Sequence, residues 1–170
     1  MNAPEITTDR LCLRGWRADD YEPYAAFRAD GALNRLSGGA RTRVEAWNEF
    51  CAMIGQWTAR GFGIFAVEER DSSATAGYAG LWYPVDIDEP ELCWSLFADF
   101  HGQGYATEAA VAARDWAGEA IGLPPLMSFV HPDNAPSRRV AERLGAACEG
   151  DTELRGEPRL FYRHAPAQLN

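Results

Sequence analysis

The chain has 170 residues, 46% of them hydrophobic, and a net charge of −9. That length suits one domain with one substantial core, and that apolar content excludes a disordered chain. The acidic balance argues against nucleic acid as a partner, which asks for a basic face; an anionic ligand needs a locally basic site, whereas the field of the whole protein draws cations in.

No apolar run approaches the length of a membrane span, and Met1 to Leu11 lacks the apolar core of a signal peptide. Cys12, Cys51, Cys93 and Cys148 are widely spaced and form no CxxC pair. They read as reduced packing residues of a cytoplasmic protein, with no metal set.

In chain order, Arg10 to Arg14 alternates apolar and polar residues and predicts the first strand. Asp19-Asp20 offers an N-cap to a short helix with Tyr21, Tyr24, Ala25 and Phe27 on its apolar face. Gly38-Gly39 marks a loop. A second helix is predicted from Val44 to Arg60, with Trp47, Phe50, Cys51, Ile54 and Trp57 as its apolar stripe and Gly61 closing it. Gly63–Glu68 and Ala76–Tyr83, joined by a polar link, predict an antiparallel hairpin. Pro84 to Pro90 is an acidic loop carrying Asp86, Asp88 and Glu89.

Glu91-Leu92-Cys93-Trp94-Ser95-Leu96 alternates as a half-buried strand does, and Phe97 continues it towards His101-Gly102-Gln103-Gly104-Tyr105-Ala106-Thr107-Glu108-Ala109. The two glycines remove Cβ from a tight turn directly before a helix predicted from Gly104 to Ile121. First-turn N–H groups lack internal partners, and they lie at the positive end of the helix dipole, so this junction suits a phosphate. The spacing is neither that of a Walker loop nor that of a dinucleotide fingerprint.

Beyond it, Leu126–Val130 predicts a short buried strand, and Asn134-Ala135-Pro136-Ser137 opens a helix reaching Leu144. Ala147–Leu154 and Arg159–Arg163 predict a terminal hairpin, and Ala165–Asn170 is expected to fray. No repeat or linker interrupts the chain, so residues 1–170 read as one domain.

The segment His101 to Ala109 resembles the acetyl-CoA pyrophosphate loop of the GNAT N-acetyltransferases, most of all the Rim-like branch, which acetylates protein N-termini and small amines. His101 stands where that family usually has Gln or Arg. Asn134 to Gly145 resembles the second cofactor motif. The resemblance runs from Thr8 to about Tyr162 and implies the GNAT acyl-CoA N-acyltransferase fold, an α/β architecture. Its mixed, mostly antiparallel central sheet is flanked by helices and split between the fourth and fifth strands. At the split, the pantetheine arm pairs with free backbone groups like an added strand.

What the resemblance implies for the site is specific. His101, Gly102, Gln103, Gly104, Tyr105, Ala106 and Thr107 hold the acetyl-CoA pyrophosphate. Leu96 and Phe97 supply backbone N–H groups at the split, which could serve the oxyanion. Asn134 meets the pantetheine amides or the substrate, serves as a helix cap, or does both; Ser137 lies near the sulfur; of Arg138, Arg139 and Arg143, one, with Arg138 the candidate, holds a CoA phosphate and the others lie on a solvated face. The amine must lose a proton and the thiolate must leave. Glu91, at the start of the central strand, is either the candidate base, acting through water, or an exposed strand-end carboxylate. The Tyr that many members place seven residues after the Asn is Ala141 here. The acid is then Ser137, another Tyr, or none, since a thiolate of pKa near ~8.5 can depart unaided.

The expected activity is acetyl transfer from acetyl-CoA, without metal, to a primary amine, either a protein N-terminus or a small molecule. The acidic loop suggests a cationic acceptor. The alternative is a non-catalytic acyl-CoA-binding or regulatory module on the same fold. Neither nucleic acid nor membrane is expected as a partner, and both monomer and homodimer remain open.

Overall fold

The structure is a computed structural model and describes residues 3–165. One eight-stranded sheet runs in the order β1-β2-β3-β4-β5-β6-β8-β7. Its strands are β1 (Ile6–Thr7), β2 (Leu11–Arg14), β3 (Ile64–Glu69), β4 (Thr75–Trp82), β5 (Glu91–Leu96), β6 (Met127–Val130), β7 (Ala147–Leu154) and β8 (Glu157–Arg163). Every neighbouring pair is antiparallel except β5 and β6. The helices are α1 (Tyr21–Ala29), α2 (Gly31–Asn34), α3 (Arg43–Arg60), α4 (Tyr105–Ile121) and α5 (Ala135–Arg143). The fraying expected for Ala165–Asn170 falls, beyond Ala165, outside the described residues.

Strand alternation divides the core in two. Leu11, Leu13, Phe65, Val67, Ala79, Leu81, Leu92 and Leu96 pack with Ala109, Ala110, Ala113 and Ala117 of α4. The small side chains let that helix lie close on the sheet. Ile64 meets Tyr24 and Phe27 of α1 and Phe50 and Met53 of α3 on the opposite face, with Tyr78, Trp82 and Cys93 packed against them.

Three sequence expectations change. Asp20 does not cap α1 with its side chain. It is buried and accepts from Arg14 Nη1 at 2.8 Å, Arg14 Nη2 at 2.9 Å, the Arg17 N–H at 2.7 Å and Thr75 Oγ1 at 2.5 Å. A charge taken out of water needs such partners, and Arg14 comes from the adjacent strand rather than from the helix.

The buried stripe of α3 is Ala46, Phe50, Met53, Gln56 and Trp57, whereas Val44, Trp47, Cys51 and Ile54 form a largely exposed face. Both sets have helical spacing, and the one carrying the smaller Ala46 faces inward because α1 lies close against it.

The cysteines are free, as expected, but Cys51 and Cys148 are exposed rather than packed. The sequence reading also missed β1 and α2, each too short to carry a period.

Candidate active site

β5 and β6 touch at one register pair only, Glu91 opposite Met127. From there the strands part, and side chains close the mouth of the split. The Phe129 N–H, which a continued ladder would bond to β5, donates to Glu91 Oε1 at 3.2 Å. The Leu92 carbonyl accepts from Ser128 Oγ at 2.5 Å. Ser128 Oγ in turn accepts from Nε2–H of buried His164 at 2.8 Å. This orientation fixes the imidazole tautomer, since a hydroxyl has one proton to give.

The ladder register decides which β5 groups face the split. Antiparallel pairing directs alternate residues to opposite sides. The Phe97 N–H donates to the Ala76 carbonyl at 2.8 Å, so it faces β4 and is not a split-facing donor; this corrects the pairing of Phe97 with Leu96 as oxyanion groups. Leu92, Trp94 and Leu96 face the other way. The Leu96 carbonyl is taken by His101 Nε2–H at 2.9 Å, which makes His101 a brace between strand and loop. The Leu96 N–H and the Trp94 backbone face the split without a strand partner among the described residues.

The glycine loop has the character its composition suggests. Gly102 and Gly104 have φ of +77° and +83°, a left-handed conformation that disfavours a side chain. The N–H groups of Gly102, Gln103, Gly104, Tyr105 and Ala106 donate to no acceptor among the described residues. Thr107 Oγ1, in the first turn of α4, is buried without a partner. Five open N–H groups and an orphaned hydroxyl at a helix N-terminus fit a pyrophosphate. A Cβ on Gly104 would meet Arg10 Nη2 at 3.5 Å as its one protein neighbour, so within the chain itself the demand for glycine there is conformational. Arg10 braces the loop from behind by bonding the Gln103 carbonyl at 2.9 Å and Glu108 Oε2 at 2.6 Å. Tyr105 donates its hydroxyl to Glu69 Oε1 at 2.6 Å.

A pocket of about 600 Å³ opens on the α1 and α3 side of the split. Tyr24, Tyr78, Trp82, Trp94 and Phe129 give it aromatic walls, and Glu91, Asn134 and Ser137 line it near the split. Burial pushes the Glu91 carboxyl up to about 7, against the opposing pull of the Phe129 N–H and of Arg155 and Arg159. A carboxyl of that pKa takes a proton readily near neutral pH.

Asn134 is a helix cap, its Oδ1 accepting from the Ser137 N–H at 3.2 Å, which leaves its amide nitrogen for a ligand. Ser137 Oγ makes no hydrogen bond among the described residues. Arg138 lies outside the pocket wall with Nη1 3.4 Å from the Pro132 carbonyl. Ala141, in the position where a Tyr is common, is fully buried beside Val130 and Tyr162.

The acidic loop is not a free anionic patch. Asp86 binds Arg155 through two hydrogen bonds of 2.8 and 3.0 Å, and Glu89 binds Arg163 at 2.6 and 2.9 Å. Two of the three carboxylates are therefore compensated, and the steering argument for a cationic acceptor loses its basis. The partners lie on or beside β8, some 70 residues on, so local sequence gave no sign of them.

A sheet split between β5 and β6, with a glycine loop and open N–H groups at the start of α4 beside it, is the architecture of an acyl-CoA-dependent acyltransferase. The acetyltransferase (GNAT) domain model matches residues 10–147, and the chain belongs to that family. It is 25% identical over 146 residues to the uncharacterized N-acetyltransferase YnaD of Bacillus subtilis, covering 85% of this chain and 84% of that one. An acetyltransferase structure from Agrobacterium tumefaciens is 34% identical, with a TM-score of 0.89 over 97% of this chain and 96% of the other. The ribosomal-protein-S5-alanine acetyltransferase of Vibrio fischeri, 17% identical, shares the fold at a TM-score of 0.77 over 97% and 98% of the two chains. Among the described residues no cluster of three or more His, Cys, Asp or Glu is placed to hold a metal ion, and no helix is long and apolar enough to cross a membrane.

Proposed function

We propose that this chain, as one GNAT domain acting in the cytoplasm, transfers an acetyl group from acetyl-CoA to a primary amine by direct attack on the thioester. The observation that carries the reading is the place of Glu91, bonded to the Phe129 N–H where the strands part and lining one pocket with Asn134 and Ser137.

Acetyl-CoA supplies an activated acyl group on a thiol leaving group. The open N–H groups from Gly102 to Ala106 and the Thr107 hydroxyl would hold its pyrophosphate. The split-facing backbone of Trp94 and Leu96, with the Asn134 amide, would hold the pantetheine arm. The Leu96 N–H would stabilise the oxyanion. Glu91 accepts the amine's proton, directly or through water, as the N–C bond forms. The Ser137 hydroxyl delivers a proton as the C–S bond breaks, and regains one from solvent. The free Ser137 hydroxyl, one helical turn from the Ala141 position, supports it as the acid.

The test is thiol release from acetyl-CoA across a panel of primary amines, with Glu91→Gln and Ser137→Ala beside the wild type. Turnover is expected to fall in both variants while acetyl-CoA affinity, read by calorimetry, holds. Binding of acetyl-CoA with no release to any amine would instead describe a binding module.

A further inference from the structure

The pocket is charged against the sign of the chain. The protein carries −9 overall, yet the charged groups in the pocket wall are Arg28, Arg41, Arg155 and Arg159 against Glu49 and Glu91. Glu49 is fully committed. It accepts from Arg28 Nε at 2.8 Å, Arg41 Nε at 2.8 Å and the Tyr24 hydroxyl at 3.0 Å, so one carboxylate serves two guanidinium groups. At the other end Asp86 holds Arg155. Arg159 is left over. It is half-buried on β8, its Nη1 donates to the Pro158 carbonyl at 2.8 Å, and no carboxylate lies within ion-pair distance of it among the described residues.

A guanidinium drawn partly out of water with most of its planar N–H fork free matches a carboxylate or phosphate. The glycine loop, residues 101–107, contributes nothing to this pocket wall, so the pyrophosphate cradle lies apart from Arg159. The aromatic walls of the pocket suit an apolar body.

We propose that the acceptor amine carries its own anionic group, a carboxylate or phosphate, and that Arg159 binds that group while the amine faces Glu91. This rests on the acetyl-transfer reading above and names the substrate class for it. The pairing is self-consistent. Glu91 and Arg159 offer opposite charges across one pocket, as an amphoteric ligand requires.

The experiment compares amino acids with their carboxamides, and phosphoethanolamine with ethanolamine, as acceptors for the purified protein with acetyl-CoA. The anionic member of each pair is expected to have the higher kcat/KM by about ten- to hundredfold, the worth of hydrogen bonds to a charged group. The carboxamide's more acidic amine works against this order, so the comparison is stringent. In Arg159→Gln the ratio of anionic to neutral acceptor should collapse towards one, and Arg159→Lys should keep part of it. Equal use of both members of each pair, or a preference for the neutral one, overturns the proposal. So does a loss of acetyl-CoA affinity in Arg159→Gln as large as the loss in kcat/KM, which would assign Arg159 to a cofactor phosphate. If no amine is acetylated, the enzymatic reading fails, and calorimetry with N-acetyl amino acids and their amides decides the binding claim. Tighter carboxylate binding that Arg159→Gln abolishes upholds it, and equal binding sinks it.

Discussion

Glu91 Oε1 accepts the Phe129 N–H at 3.2 Å, across the point where β5 and β6 part. One carboxyl thereby satisfies a backbone donor that the split leaves unpaired, on a residue that also lines the pocket. Gln in its place can still accept that hydrogen bond through its carbonyl, so Glu91→Gln should fold. As a base, Glu91 works deprotonated, and kcat/KM should rise with pH through about 7 in the wild type. In Glu91→Gln that limb should vanish and kcat/KM should fall by roughly 10²–10⁴-fold, the usual worth of general base catalysis. An unchanged limb would place the base elsewhere.

The glycine loop yields a controlled comparison. Gly104 and Gly122 bound the two ends of α4, with φ of +83° and +64°. At Gly122 an added Cβ meets nothing within 4 Å, and at Gly104 it meets Arg10 Nη2 at 3.5 Å. Each Gly→Val exchange pays the left-handed penalty of roughly 1–2 kcal/mol. Both variants should unfold cooperatively at slightly lower Tm, but only Gly104→Val should weaken acetyl-CoA, by about tenfold or more for 1.4 kcal/mol or more lost at the cradle. Equal affinity in the two variants would remove the loop from the binding site.

His164 makes stability depend on acid. Burial lowers its pKa from 6.5 to about 4, with Arg114 and Arg163 adding to the shift. The unfolded chain takes up a proton below pH 6.5 that the native imidazole refuses until about pH 4. Stability from this group is therefore complete above 6.5 and lost as pH falls towards 4. The loss should reach about 3 kcal/mol at most, at 1.36 kcal/mol per pKa unit. Denaturant unfolding at pH 7.5 and 4.5 should show His164→Gln less acid-sensitive than the wild type by about 2 kcal/mol. Parallel losses in both proteins would mean that another group titrates.

The Asp86–Arg155 and Glu89–Arg163 pairs tie the β4–β5 connection to the terminal hairpin. Since those carboxylates are already compensated, removing a pair whole, as in Asp86→Asn with Arg155→Gln, should not lower kcat/KM for a cationic amine, and the salt dependence between 0.05 and 0.5 M should keep its slope. In Asp86→Asn alone the uncovered Arg155 should favour anionic acceptors and disfavour cationic ones. A fall for cationic amines at low salt in the double variant would restore electrostatic steering by the loop.

Much of the fold lay in the sequence because its signals are local. Strand alternation from Leu92 to Leu96, the glycines at 102 and 104, and the alanine face of α4 each depend on residues a few positions apart. They sufficed for the split sheet and for the left-handed glycine turn that opens α4. Where two stripes on one helix were equally apolar, as with Phe50 and Met53 against Trp47 and Ile54, packing by α1 chose between them. The alternation on β5 placed Leu96 and Phe97 next to one another, but only the register against β4 turned the Phe97 N–H away from the split. Charge was the least legible property. Asp86 meets Arg155, and Glu49 meets Arg28 and Arg41, through chain reversals that no window of sequence contains. An ion pair is fixed by distances in space, so the composition set the sign of the whole protein and the tertiary structure alone set the sign of its pocket.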